Sequence, residues 1–363
     1  MSQINSTKKV RVLIVDDSSF MRMAIRGILD RDPDLEVIGS AIDGADGVKK
    51  AMDLRPDIIT MDIEMPRMDG ISALREIMAK SPTRVIMVST LTNEGAKATF
   101  EALEAGAVDY IPKNITDSSA AQKVFKEELL QKVKAAAMFA VPKKSAPTIR
   151  SAVPEKLKPA ASRLKPGRIS CVAIGASTGG PIALQEVLSR IPVNFPHGIM
   201  VAIHMPRAFT GPYAERLNAK CSLSIKEAAD GDILRPGTAL IAPGGKHSSL
   251  VRQSAGLAVR TAPIDQFPGY IYIPSVDIMM SSMADVAGGS VLGVILTGMG
   301  NDGFKGMKHI KEKGGATLVQ DEATSTIYGM PKACIQGGIA DLVLPLDQIG
   351  FEIAKIAERN DGK

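Results

Sequence analysis

Short apolar runs alternate with amphipathic stretches along the chain, and the alternation occurs in two separate blocks. Over residues 10–138, the runs Val10–Val15, Glu36–Ala41, Ile58–Met61, Val85–Val88 and Val108–Ile111 have strand length. Between them, segments such as Phe20–Leu29 and Ile71–Met78 carry apolar residues at helical spacing. Five such repeats predict a parallel, doubly wound α/β sheet whose binding crevice lies beyond the carboxyl ends of its strands. A second block starts at Ile169, with strands predicted at Cys171–Ala176, Ile199–His204, Ala239–Ala242, Val291–Leu296 and Thr317–Gln320. Helical spacing falls at Ile182–Arg190, Ala208–Leu217, Val276–Ala287 and Lys305–Lys313. His247–Arg252 and Leu257–Thr261 flank Ser254-Ala255-Gly256 and read as a β-hairpin. The prediction is a second doubly wound, mostly parallel α/β domain with a β-hairpin added.

Composition separates the blocks. The chain has 363 residues, 45% hydrophobic and 23% charged, enough for two globular domains with proper cores. Its net charge is +5, but eight basic residues face one acid, Glu155, between Val141 and Arg168. That stretch carries +7, so the remainder sums to −2. It also holds five of the 22 prolines and no aromatic residue, a composition that cannot bury enough surface to offset its ordering entropy. The expected organisation is a domain at 8–138, a basic proline-rich tether at 139–168 and a domain at 169–360. Basic charge held in a tether argues against a nucleic-acid-binding surface, and residues 170–363 show no helix-turn-helix with a basic stripe. No apolar run is long enough to span a membrane, and the first residues lack a signal-peptide core and cleavage site. Cys171, Cys221 and Cys334 have no metal-ligand spacing. These features predict a cytoplasmic protein with reduced thiols and no membrane insertion.

In the first block, acids and one lysine gather at strand ends. Asp16 and Asp17 follow the first strand, Asp62 ends the third, Ser89 and Thr90 end the fourth, and Lys113 follows the fifth. Carboxylates that close repel one another unless a cation sits among them, and hard oxygen ligands suit Mg²⁺. Helix-capping acids would explain one or two of these positions, but not a matching set at four strand ends. An Asp beside Mg²⁺ and a lysine is placed to attack a phosphoryl donor.

In the second block, Gly175-Ala176-Ser177-Thr178-Gly179 matches the G-x-S-x-G turn that lifts a serine off a strand end. Taken alone, a Gly-Ser-Gly turn opening a helix is most often only a turn. His204 ends the next strand, and Asp302 follows Val291–Thr297 through Gly298-Met299-Gly300-Asn301. A parallel sheet brings all three to one edge. A serine needs an imidazole to take its proton and an acid to hold that imidazole, so the combination points to a serine hydrolase. The order Ser–His–Asp departs from that of α/β-hydrolases. Gly298–Gly303 also fits G-x-G-x-x-G, with Asp321 placed as a ribose-binding acid. A carboxylate at 302 would repel the pyrophosphate that this motif serves, which ranks the dinucleotide reading below the triad. A non-enzymatic docking module is the remaining class, and a serine-directed electrophile would distinguish it.

The runs VDDS at 15–18, MDIEMPRMDG at 61–70, VST at 88–90 and YIPK at 110–113 resemble a response-regulator receiver domain. The resemblance implies Asp62 as phosphoryl acceptor and Mg²⁺ held by Asp16, Asp17 and Asp62, with the Glu64 backbone carbonyl completing the site. It implies that Ser89 moves toward the phosphoryl group, that Tyr110 changes rotamer with it, and that Lys113 contacts the phosphate. Receivers usually carry a cis proline after this lysine; Asn114 stands there instead. A cis bond before a non-proline costs ~2.5–4 kcal/mol, so the loop is expected to be trans or strained.

GASTGGP at 175–181, HMP at 204–206, AERLN at 214–218, PGG at 243–245 and TGMGNDG at 297–303 resemble the chemotaxis-receptor protein-glutamate methylesterases. That resemblance implies Ser177 as nucleophile, His204 as general base and Asp302 as its orienting acid. The Met299 N–H becomes an oxyanion donor and Thr178 a supporting neighbour. It further implies chemoreceptor cytoplasmic helices as substrate, a chemotaxis histidine kinase as phosphodonor, glutamine deamidation as a second activity, and no cofactor at the esterase site.

Overall fold

The computed structural model describes residues 9–113, 119–138 and 169–358. The predicted tether at 139–168 and the Asn114 loop lie outside the described residues. The chain divides into two compact units, Met1–Lys144 and Ser145–Lys363.

The first unit runs β1 Val10–Val15, α1 Ser19–Leu29, β2 Leu35–Ala41, α2 Gly44–Leu54, β3 Ile58–Asp62, α3 Gly70–Lys80, β4 Arg84–Ser89, α4 Asn93–Ala105, β5 Asp109–Pro112 and α5 Ser119–Met138. All strand pairs are parallel, in the order β2-β1-β3-β4-β5. That is the predicted doubly wound sheet, with β3 at its centre between β1 and β4. Four helices start on a side-chain cap: Ser18, Asp43, Asp69 and Thr92 each accept an N–H from the first turn. One core lies among Val12, Ile14, Ile25, Ile58, Ile86, Ile111, Phe125 and Leu129.

The second unit opens with β6 Cys171–Ala176, α6 Gly180–Ser189, β7 Gly198–Ile203, α7 Arg207–Lys220, β8 Ser224–Glu227, β9 Thr238–Ile241, β10 His247–Gln253 and β11 Gly256–Ala262. It continues with α8 Val276–Ala287, β12 Val291–Ile295, α9 Phe304–Glu312, β13 Ala316–Gln320, α10 Met330–Gln336, β14 Leu342–Leu344 and α11 Leu346–Glu358. Seven strands form one sheet in the order β14-β13-β12-β6-β7-β9-β8, every pair parallel. The predicted hairpin, β10–β11, is antiparallel and forms a sheet of its own.

Strands β8 and β14 were not predicted. Both are short edge strands with one fully buried position between them, Ile225, so neither shows the apolar run that marked the centre. By contrast β6, β7 and β12 are buried at every residue. Helix α8 packs on these three strands and on β10, clamping the hairpin to the main sheet.

Candidate active site

Strand β6 lies between β12 and β7, so the residues that follow these three strands emerge side by side. The strand hydrogen bonding runs past the strand ends. Ser177 N–H donates to Thr297 O at 3.0 Å and His204 N–H to Ala176 O at 3.2 Å. The turn after Ser177 closes with Gly180 N–H on Ser177 O at 2.7 Å. It needs glycine at 179, where φ is +73° and a Cβ would meet Thr326 at 2.4 Å. Gly298 allows the two loops to touch: a Cβ there would lie 2.8 Å from Ser177 Cβ. Thr297 ties the same region together, its hydroxyl donating to Thr178 O at 3.0 Å and accepting Ile327 N–H at 2.9 Å.

Within this frame the three predicted side chains converge. His204 Nδ1 is 3.0 Å from Ser177 Oγ, and His204 Nε2 is 2.8 Å from Asp302 Oδ2. The nitrogens are used in the opposite sense to the familiar serine-protease template, in which Nε2 faces the serine. Asp302 accepts, so Nε2 carries the proton and Nδ1 presents its lone pair to the hydroxyl.

Asp302 is only 5% exposed. Besides His204 it accepts from Ser275 Oγ at 3.0 Å, Val276 N at 2.8 Å, Asp277 N at 2.9 Å and Gly303 N at 3.0 Å. Burial alone would raise its pKa; the bond to His204 and the N–H groups of Asp277 and Val276 outweigh that and hold it below the usual carboxylate range. Three of these donors form the start of α8, so the carboxylate sits on a helix N-terminus, where a negative charge is stabilised. Sequence reasoning placed Asp302 before α9 and missed its anchorage by α8. The available signal was Ser275, an N-cap residue directly ahead of an apolar helical run.

Met299, the implied oxyanion donor, is half-buried, and its N–H meets no acceptor among the described residues. Thr178 is buried beside the serine. A cavity of about 410 Å³ opens next to Asp302, between the 268–272 segment and Phe304–Lys305.

At the carboxyl edge of the first sheet, Lys113 Nζ sits 2.6 Å from Asp62 Oδ2 and 3.2 Å from Asp16 Oδ2. Burial, opposed by Lys113 and reinforced by Asp16, pushes the Asp62 carboxyl up to about 6. Carboxylate oxygens of Asp16, Asp17 and Asp62 lie within 4.8 Å of one another. Asp16 Oδ2 is buried, with the Lys113 ammonium beside it at 3.2 Å. Three hard oxygen donors gathered this closely, with a single ammonium among the described residues to offset their charge, fit a small divalent cation. Glu64 lies two residues beyond Asp62 with its side chain exposed, and Tyr110 is buried. The Ser89 hydroxyl is engaged with α4: it accepts from Thr99 Oγ1 at 2.7 Å and lies 3.2 Å from Gly95 O. Thr99 is a partner that the strand-end reading did not find.

Among the described residues, no helix is long and apolar enough to cross a membrane. The family described as CheB methylesterase matches residues 172–353, and the response regulator receiver domain matches 12–125. A Geobacter sulfurreducens protein named protein-glutamate methylesterase/protein-glutamine glutaminase 1 is 67% identical over 97% of this chain and 99% of its own length. A relative from Alkalilimnicola ehrlichii, named protein-glutamate methylesterase/protein-glutamine glutaminase, is 44% identical over 96% of this chain and 100% of its own length. Among solved structures, the Thermotoga maritima CheB methylesterase catalytic domain is 38% identical, with a TM-score of 0.49, covering 52% of this chain and 98% of its own. On both its halves, and across nearly its whole length, the chain belongs to the CheB methylesterase family, with a response regulator receiver domain ahead of the esterase domain.

Proposed function

We propose that this chain is a cytoplasmic, phosphorylation-activated serine hydrolase that removes methyl groups from glutamate esters on chemoreceptor helices and deamidates receptor glutamines at the same site. The contacts from Ser177 Oγ to His204 and from His204 to Asp302, at 3.0 and 2.8 Å, carry the reading.

His204 Nδ1 takes the Ser177 proton as Oγ attacks the γ-carbonyl carbon of the methylated glutamate. The resulting imidazolium is held by Asp302, which stays ionised because α8 already solvates it. The oxyanion is met by N–H groups of Met299 and of the 177–180 turn. The C–OCH₃ bond breaks, and the imidazolium protonates the leaving oxygen to give methanol. Water then attacks the glutamyl-serine ester, losing a proton to His204; the C–Oγ bond breaks, the imidazolium returns that proton to Ser177 Oγ, and the free glutamate departs. With a glutamine substrate, the leaving group is ammonia and the other steps are unchanged. No cofactor enters this sequence.

In the receiver, Asp62 accepts a phosphoryl group from a chemotaxis histidine kinase. Asp16, Asp17 and Asp62, with the Glu64 carbonyl, are the residues that would hold Mg²⁺, which when bound neutralises charge on the phosphoryl oxygens. Lys113, already on Asp62, balances the charge of the phosphorylated side chain. Ser89 exchanges its α4 partners for the phosphoryl group, and Tyr110 follows. Residues 139–168 act as the tether, and phosphorylation relieves occlusion of the esterase site by the receiver.

Ser177→Ala is expected to abolish methanol release from methylated receptor while Asp62 still takes up phosphate. Methanol release at the normal rate in that variant would remove Ser177 from the mechanism.

A further inference from the structure

Both nitrogens of the His204 ring are engaged in its plane, but a ring held only at its edge can still tilt. One face of the imidazole is covered by Tyr272, with centroids 4.4 Å apart and planes within 2° of parallel. Tyr272 belongs to the irregular stretch before α8, and its neighbour Ile271 is 87% exposed. Of these two neighbours, the tyrosine is the one that turns its ring to His204. Its hydroxyl rests where Gly300 leaves room: at φ +78°, a Cβ on Gly300 would lie 2.5 Å from Tyr272 Oη. The ring that covers His204 is thus seated on the loop that carries Asp302.

We infer that Tyr272 is a positioning residue for the hydrolysis, fixing the His204 ring plane and presenting an electron-rich face to the imidazolium as it forms. The aromatic quadrupole favours a cation over its face and does much less for a neutral ring. Tyr272 thus acts on the transition state more than on the resting enzyme, which raises kcat rather than lowering KM. Tilting the ring away from Ser177 Oγ would also misalign proton transfer, and small displacements at a reacting centre are costly. Burial, with the Asp302 carboxylate adding to it, pushes the phenol pKa up, so the hydroxyl stays neutral beside that carboxylate. The ring, not the hydroxyl, carries the effect, so phenylalanine suffices at this position.

The inference rests on His204 being the general base, and its test is arranged to keep the two apart. Full-length Tyr272→Phe, Tyr272→Leu and Ser177→Ala are compared with wild type for methanol release from methylated receptor, with kcat and KM determined separately. The phenylalanine variant is expected to stay within about twofold of wild type, and the leucine variant to lose about tenfold in kcat with KM little changed. A proton NMR readout works even for an inactive variant. With four histidines in the chain, the His204 ring protons can be assigned against His204→Gln. They should show an upfield ring-current shift in wild type and Tyr272→Phe that is lost in Tyr272→Leu. A leucine variant with normal kcat, a phenylalanine variant as impaired as leucine, a loss confined to KM, or an unshifted wild-type ring would each overturn the role. If Ser177→Ala remains active, the triad reading fails instead.

Discussion

Asp302 shows how a buried charge is made tolerable by its neighbours. Its two oxygens accept four bonds from Ser275, Val276, Asp277 and Gly303, and His204 supplies a fifth. An amide at this position offers one acceptor oxygen to those donors and sets its own N–H₂ against others. Asp302→Asn is therefore expected to lower kcat for methanol release by about 10⁴, the scale seen when an imidazole loses its orienting carboxylate. The same bonds have a stability consequence. The folded-state pKa of Asp302 is depressed, so its contribution is complete above the ordinary carboxylate range and is lost as pH falls through the folded value. Each unit of depression corresponds to about 1.4 kcal/mol. Urea denaturation followed by circular dichroism should show wild type losing its advantage over Asp302→Asn as pH falls below the ordinary carboxylate value of about 4. A gap that stays constant over that fall would mean that the carboxylate is not stabilised in its ionised form.

Helix α8 is the element that turns three strand ends into a working edge. Its apolar face, including Val276, Met279, Met280 and Met283, is buried in the core, while its first N–H groups are spent on Asp302. Gly175 lets it approach, since a Cβ there would meet Val276 at 2.3 Å. Ser275 serves two ends, donating to Asp302 Oδ1 and accepting Ile278 N–H at 3.4 Å. Ser275→Ala should cost about 1 kcal/mol of stability, the usual worth of an N-cap, and lower kcat by about tenfold through Asp302. Unchanged kcat with reduced stability would confine Ser275 to capping. The helix itself was legible, since its bounds follow from apolar spacing, as were β6, β7 and β12 from their unbroken apolar runs. The convergence of Ser177, His204 and Asp302 followed from those strands, because parallel strands deliver their carboxyl ends to one side. What stayed hidden depends on contacts between separate elements: α8 against residue 302, Tyr272 over His204, Thr99 on Ser89. No local period records such meetings. Short edge strands such as β14 were missed for a related reason, because half-burial leaves only weak apolar patterning.

The two units repeat one physical plan with different chemistry at the rim. Each is a parallel sheet whose strand carboxyl ends gather polar side chains, acids and a lysine in one, hydroxyl, imidazole and carboxylate in the other. Each has its own sheet and its own core, so coupling between them is an added property that each sheet can fold without. Under the proposed regulation, the Asp62 cluster changes charge on phosphorylation while the triad keeps its geometry, so the receiver controls access rather than chemistry. That distinction is measurable. Deleting residues 1–168 should raise the basal rate of methanol release to about the level reached by the full chain with a phosphodonor and Mg²⁺. Asp62→Asn in the full chain should make the rate indifferent to the phosphodonor. Removing Mg²⁺ with a chelator should do the same to wild type without affecting the deleted form, whose proposed mechanism draws on the side chains of Ser177, His204 and Asp302 alone. If deletion leaves the basal rate where it was, occlusion is the wrong account, and phosphorylation must instead act on the esterase unit by assisting its encounter with the receptor.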